Sequence, residues 1–143
     1  MMLWVRRQFF LLMFLLIPVM ASAQSIGSGD KAMIRNVIEG QMAAFLRDDA
    51  VKAFSYANPM IQRMFGTPDR FLSMVREGYA PVYRPSDVAF GALTPEDGKW
   101  IQAVSVIGPD GQLALALYTM EQQPDGSWLI AGCVLTKPPG AGA

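Results

Sequence analysis

The sequence predicts an α+β fold, in which N-terminal short helices pack on a curved four-stranded antiparallel meander. Two observations predict it. As far as residue 79, apolar residues recur at three-to-four spacing between helix caps, and from Asp87 onward the period becomes two. In that second part three turn signals, Pro95-Glu96-Asp97-Gly98, Gly108-Pro109-Asp110-Gly111 and Gln123-Pro124-Asp125-Gly126, fall at near-regular intervals. Each supplies Pro and Asp for a tight turn and Gly for a positive φ.

The elements follow in order. Ile34, Val37, Ile38, Gln41, Met42 and Phe45 make one helical stripe, with Asp30 as its expected N-cap. Asp48 or Asp49 caps a short second helix running to about Tyr56, a more economical use of the pair than paired catalytic carboxylates. Asn58-Pro59 starts a third, carrying Met60, Ile61, Met64 and Phe65 and stopping at Gly66. Thr67-Pro68 repeats the device for a fourth, with Phe71, Leu72 and Val75 on one side, ending before Gly78. Four strands are expected at 87–93, 99–107, 113–122 and 127–136, joined by short connections.

Pairing the strands about four-residue turns puts Trp100, Val104, Val106, Leu113, Leu115 and Leu117 on one face. Ile101, Ala103, Ala114, Ala116, Tyr118, Ala131 and Cys133 fall on the other. Both faces are apolar, whereas a sheet with one wet face alternates apolar with polar. The helices cover one face, and the other needs its own curvature, a bound apolar ligand or a second copy of the chain. A homodimer is expected, with Ala103, Ala114, Ala116, Tyr118 and Ala131 as the surface whose small residues admit a close partner sheet.

Composition excludes several functions. The 143 residues carry twelve Lys plus Arg against twelve Asp plus Glu, no His, one Cys and 52% hydrophobic residues. Such a chain folds, and it lacks the basic stripe of a nucleic-acid binder. Without His there is no Ser-His-Asp triad, no Cys-His dyad and no His-ligated zinc. No nucleophile-base pair and no ligand cluster stands out, so no catalytic residue, cofactor or metal is expected. Cys133, in an apolar stretch without a neighbouring cation or base, is expected as a buried, unreactive thiol, and it has no disulfide partner in the chain. The ten methionines, several at helical spacing, are expected to fill the core rather than to form a binding surface or a soft-metal site.

The N-terminus reads as an export signal. Arg6-Arg7 precede an apolar run from Phe9 to Val19, and Ala21-Ser22-Ala23 offers the small residues of a cleavage site between Ala23 and Gln24. The run is shorter than the roughly 20 residues that span a bilayer, and Pro18 interrupts it. The leucine- and phenylalanine-rich run suits export of the unfolded chain better than the twin-arginine route that Arg6-Arg7 resembles. Three parts are therefore expected: a cleaved signal at 1–23, one domain at 24–136, and a flexible Pro/Gly tail at 137–143. The location is periplasmic or secreted, with no membrane attachment after cleavage.

Ala43-Ala44-Phe45 through Asp49, Ala53-Phe54-Ser55-Tyr56-Ala57-Asn58-Pro59, Phe65-Gly66-Thr67-Pro68 and Tyr79-Ala80-Pro81-Val82-Tyr83-Arg84-Pro85 resemble a bacterial exported family catalogued as domain of unknown function 4864. The helices followed by a bent meander are similar to the nuclear transport factor 2-like fold. That resemblance implies a cone-shaped cavity and frequent dimerisation through the sheet, and it implies no activity.

Tyr79, Tyr83, Arg84 and Asp87, between the last helix and the first strand, are the densest constellation of functional side chains. As a site they line the mouth of a cavity for a mostly apolar ligand. As scaffolding they are a proline-stiffened crossover in which Arg84 pairs with Asp87. Two functions are compatible with this pattern. One is non-catalytic binding of a small apolar or amphipathic ligand, or of a partner protein. The other is a carboxylate-based isomerase or dehydratase, with Asp87 as base and Tyr79 or Tyr83 as hydrogen-bond donors.

Overall fold

The computed structural model describes residues 24–138. The expected signal and its cleavage residue Ala23, and residues 139–143 of the expected tail, lie outside the described residues. The helices are α1 (Ser28–Leu46), α2 (Ala50–Ser55), α3 (Pro59–Phe65), α4 (Pro68–Gly78) and α5 (Ala80–Tyr83). The strands are β1 (Asp87–Glu96), β2 (Lys99–Ile107), β3 (Leu113–Gln122) and β4 (Trp128–Thr136), hydrogen-bonded in that order into one antiparallel sheet. Helices followed by a four-stranded meander are the α+β architecture expected.

Local capping explains the helix boundaries. Asp49, Asn58 and Thr67 each accept from a backbone N–H three residues on, starting α2, α3 and α4, and Pro59 and Pro68 occupy first helical positions. Asp48, with φ +51°, turns the chain between α1 and α2. Asp30 is not the cap of α1, which starts after Gly27. It lies in the first turn, where its carboxylate accepts from Trp128 Nε1 at 2.9 Å. A long-range partner has replaced the local one. The Tyr56 ring, just after α2, packs over α1 at Gly40, where an added Cβ would overlap the Tyr56 hydroxyl.

β1 runs three residues beyond its expected end, because Glu96 pairs with Lys99 across a two-residue turn, Asp97-Gly98. Both turn residues have positive φ, +48° and +77°, the geometry of a primed hairpin turn. Pro95 is tolerated because β1 is an edge strand.

The register corrects the assignment of faces. Ile107 pairs with Leu113 across a five-residue loop, so Val104 stands opposite Ala116 and Val106 opposite Ala114. A loop one residue longer than the assumed turn moves every β3 side chain to the other face. Ala116 and Tyr118, expected on the dimer surface, therefore point into the core at 0% and 1% exposure. Ala114 shares their face and packs against the core from the margin. Ala131 sits at a β-bulge, between the Thr119–Gly132 and Met120–Ile130 pairs. Of the five residues expected on that surface, Ala103 lies on the outer face, opposite Leu117.

The core fills the space between sheet and helices. Ile34, Ile38, Phe45, Val104, Val106, Tyr118 and Met120 are its largest fully buried side chains. The outer face carries Ile101, Ala103, Ile107, Leu115, Leu117 and Leu129, all partly exposed, with Leu113 and Val134 more open at the margins. Among the described residues no element covers it.

Candidate functional site

The bulge at Ala131 and the segment joining α2 to α3 shape a cavity. Asn58 N–H donates to Ile130 O at 2.8 Å, and Ile130 N–H donates to Tyr56 O at 2.9 Å, tying that segment to β4. Asn58 at the same time caps α3 by accepting from Ile61 N–H at 3.0 Å. Gln62 Nε2 donates to Phe54 O and Ala57 O, anchoring α3 over the end of α2. No residue of α3 is fully buried. Its apolar side chains Met60, Ile61, Met64 and Phe65 instead wall a cavity of about 250 Å³, with Met64 67% exposed at the rim.

The remaining walls come from α1, α4, α5 and the β3–β4 pair, including Phe45, Phe71, Met74, Tyr79, Tyr118 and Cys133. Three phenylalanines surround Phe71, at ring-centroid distances of 6.2 Å (Phe45), 5.3 Å (Phe54) and 5.7 Å (Phe65). No Asp, Glu, Lys or Arg lines the cavity among the described residues.

Its polar groups are few. The Tyr79 hydroxyl donates to Cys133 O at 2.9 Å, and Gln41 Nε2 donates to Ala53 O at 3.1 Å. The Tyr118 hydroxyl is buried beside the Cys133 thiol, a weak hydrogen-bonding partner, with no stronger one among the described residues. Burial above all, and then the neighbouring Cys133, raises both tyrosine pKa values, that of Tyr118 well above its ordinary value. Burial also pushes the Cys133 thiol up to about 12, against the opposing influence of the Tyr118 hydroxyl. All three groups are thus neutral at physiological pH, and the cavity presents no poised base or nucleophile.

A direct consequence is that Cys133 is slow to react. With so high a pKa, the thiolate fraction at pH 8 is on the order of a thousandfold below that of an unperturbed cysteine. Alkylation of the folded protein at pH 8 is expected to be slower by at least that factor than after denaturation, read by mass spectrometry. Comparable rates would mean that the thiol is open to solvent.

The structure separates the constellation expected at residues 79–87. Tyr79 belongs to the cavity. Tyr83 and Arg84 join a surface cluster around Asp48, whose carboxylate accepts from the Tyr83 hydroxyl and from Arg84 at 3.2 Å, with Arg76 at 3.8 Å. The Arg84 guanidinium lies 3.9 Å from the Tyr83 ring centroid and also donates to Phe45 O near the end of α1. Arg84 therefore pairs with Asp48 and not with Asp87. The Tyr83 hydrogen bond, with both arginines behind it, lowers the Asp48 pKa. Asp87 is exposed at the start of β1 and borders a shallow groove with Arg35 and Glu39, outside the cavity. It is not placed to act as a base on a ligand bound there.

Sequence reasoning missed α3 as a cavity wall. Paired apolar positions at 60–61 and 64–65, on a helix of seven residues, were the available signal, and they also fit a core helix.

No curated protein matches the sequence. Among solved structures, the chain is similar to an NTF-2 like protein of unknown function from Burkholderia xenovorans LB400, at 15% identity, TM-score 0.46, and coverage of 78% of this chain and 91% of that one. The family model described as Domain of unknown function (DUF4864) matches residues 28–143, and the chain belongs to that family.

Proposed function

We propose that the protein is an exported, non-catalytic binding domain that takes a small apolar or amphipathic molecule into the cavity between α3, α4 and the β3–β4 pair. The observation that carries this reading is a cavity of about 250 Å³, walled by aromatic and methionine side chains, with no charged side chain in its lining among the described residues. Its size falls between the roughly 150 Å³ apolar cavity that holds a benzene and the roughly 300 Å³ at which ordinary ligand pockets begin. Methionines at the rim suit it to ligands of varied shape.

The outer face of the sheet supports a homodimer as part of the same reading. Four strands about 4.8 Å apart and about 30 Å long present a patch roughly 20 by 30 Å. That is comparable with the roughly 800 Å² per partner of a standard interface. The patch is apolar across its centre, and a two-fold arrangement of identical sheets covers it.

Native mass spectrometry of the protein purified from its own host tests both parts. The expected result is a dimer whose subunits begin at Gln24 and carry a small-molecule mass excess that is lost on denaturation. A chain retaining Met1 in the membrane fraction argues against export. The binding reading fails if the bare mass is found and small aromatic probes do not bind.

A further inference from the structure

We infer that Met60 and Met64, at the rim of the cavity, are a sulfoxidation site for hydrogen peroxide or hypochlorous acid, and that their oxidation lowers the affinity of the cavity for its ligand. The inference rests on the binding reading above and adds to it a modification of the same site.

Helical spacing predicts that the methionines fill the core, and Met42 and Met120 do so, at 5% and 0% exposure. Met60 and Met64 do not. They are 49% and 67% exposed, stand one turn apart on one face of α3, and both wall the cavity. The same two thioethers therefore meet the solvent that carries an oxidant and the space that takes the ligand. Exposure alone does not give this combination, since Met33 is 41% exposed on α1 and is not part of the cavity wall. The thiol of the lining is protected, because its oxidation proceeds through the thiolate and burial keeps Cys133 protonated. A thioether reacts without losing a proton.

The step transfers one oxygen atom to sulfur. With hydrogen peroxide an S–O bond forms as the O–O bond breaks, and the departing hydroxide takes up the remaining proton as water. With hypochlorous acid the O–Cl bond is lost instead, and chloride and a proton are released. Sulfur is oxidised by two electrons in each case, and the oxidant is reduced by two. The product is a polar sulfoxide in place of an adaptable apolar group, and methionine sulfoxide reductases return it to the thioether. A sulfoxide oxygen in an apolar wall either loses its water to the ligand or holds water where the ligand would lie. Both weaken an apolar molecule.

The test treats the purified protein with limiting hydrogen peroxide or hypochlorite, maps the sulfoxides by peptide mass spectrometry, and measures the Kd of toluene by ligand-observed NMR before and after. Sulfoxide is expected at Met60 and Met64 before Met42 and Met120, with toluene weakened by about tenfold. The double variant Met60→Leu/Met64→Leu, whatever its starting affinity, is expected to show the same Kd before and after treatment although Met33 is still oxidised. Unchanged toluene binding by wild type carrying both sulfoxides overturns the inference while leaving the cavity a binding site. So does an equal loss of affinity in the double variant, or sulfoxide confined to other methionines. Failure of toluene to bind untreated wild type overturns the binding reading itself. If oxidation abolishes the circular-dichroism signal, Met60→Gln/Met64→Gln decides, because it places polar side chains of similar length at the rim without an oxidant. Weaker toluene binding by about tenfold then supports the inference, and unchanged binding overturns it.

Discussion

Phe71→Ala is expected to destabilise the domain by about 3–5 kcal/mol, the usual cost of truncating a buried phenylalanine. Phe71 is buried near the start of α4, and its ring meets those of Phe45, Phe54 and Phe65, which come from α1, α2 and α3. One side chain therefore joins four helices. For a domain of this size the loss corresponds to a fall in Tm of roughly 10–25 °C by calorimetry or circular dichroism. Because the ring also lines the cavity, truncation enlarges it by about the volume of a benzene. Benzene at about 100 times its Kd is then expected to restore about 2.7 kcal/mol to the variant. A loss below about 1 kcal/mol would mean that Phe71 is not the shared wall described.

For the proposed homodimer, Leu117→Glu is expected to give a folded monomer. Leu117 lies on the outer face of β3, opposite Ala103 on one side and Val134 on the other, near the centre of the uncovered patch. A carboxylate buried there without a partner costs about 2–5 kcal/mol, so the dimer Kd rises by roughly thirtyfold to several thousandfold. The neighbouring substitution Ala116→Glu provides the contrast. Ala116 is wholly enclosed on the inner face, and a glutamate there is expected to abolish folding rather than dimerisation. Sedimentation and circular dichroism of the two variants separate the outcomes. If wild type sediments as a monomer across micromolar concentrations, the dimer proposal fails and the outer face belongs to another partner.

The candidate site was legible only in part. Tyr79 stands out in the sequence as one of a constellation with Tyr83, Arg84 and Asp87, and it does line the cavity. Tyr118 was noticed and assigned to the wrong face, since a one-residue change of register inverts inside and outside for a whole strand. Arg84 was recognised as a side chain in need of a counter-charge. Its partner Asp48 lies 36 residues upstream, where α1 turns into α2, and no local pattern points to it.

By itself the sequence determined the class of the fold, the start of three helices and the number of strands. Asn58-Pro59, Thr67-Pro68 and the three Pro/Asp/Gly turns act within a few residues of where they stand, so their consequences can be read locally. The tertiary structure alone decided which sheet face lies under the helices, because strands apolar on both faces carry no signal of direction. The choice was made by a five-residue loop at 108–112 and by bulges near Gly91 and Ala131. The cavity arose the same way. Its walls are brought together from positions 41 to 133 by packing, and its apolar character exists only once those distant side chains meet.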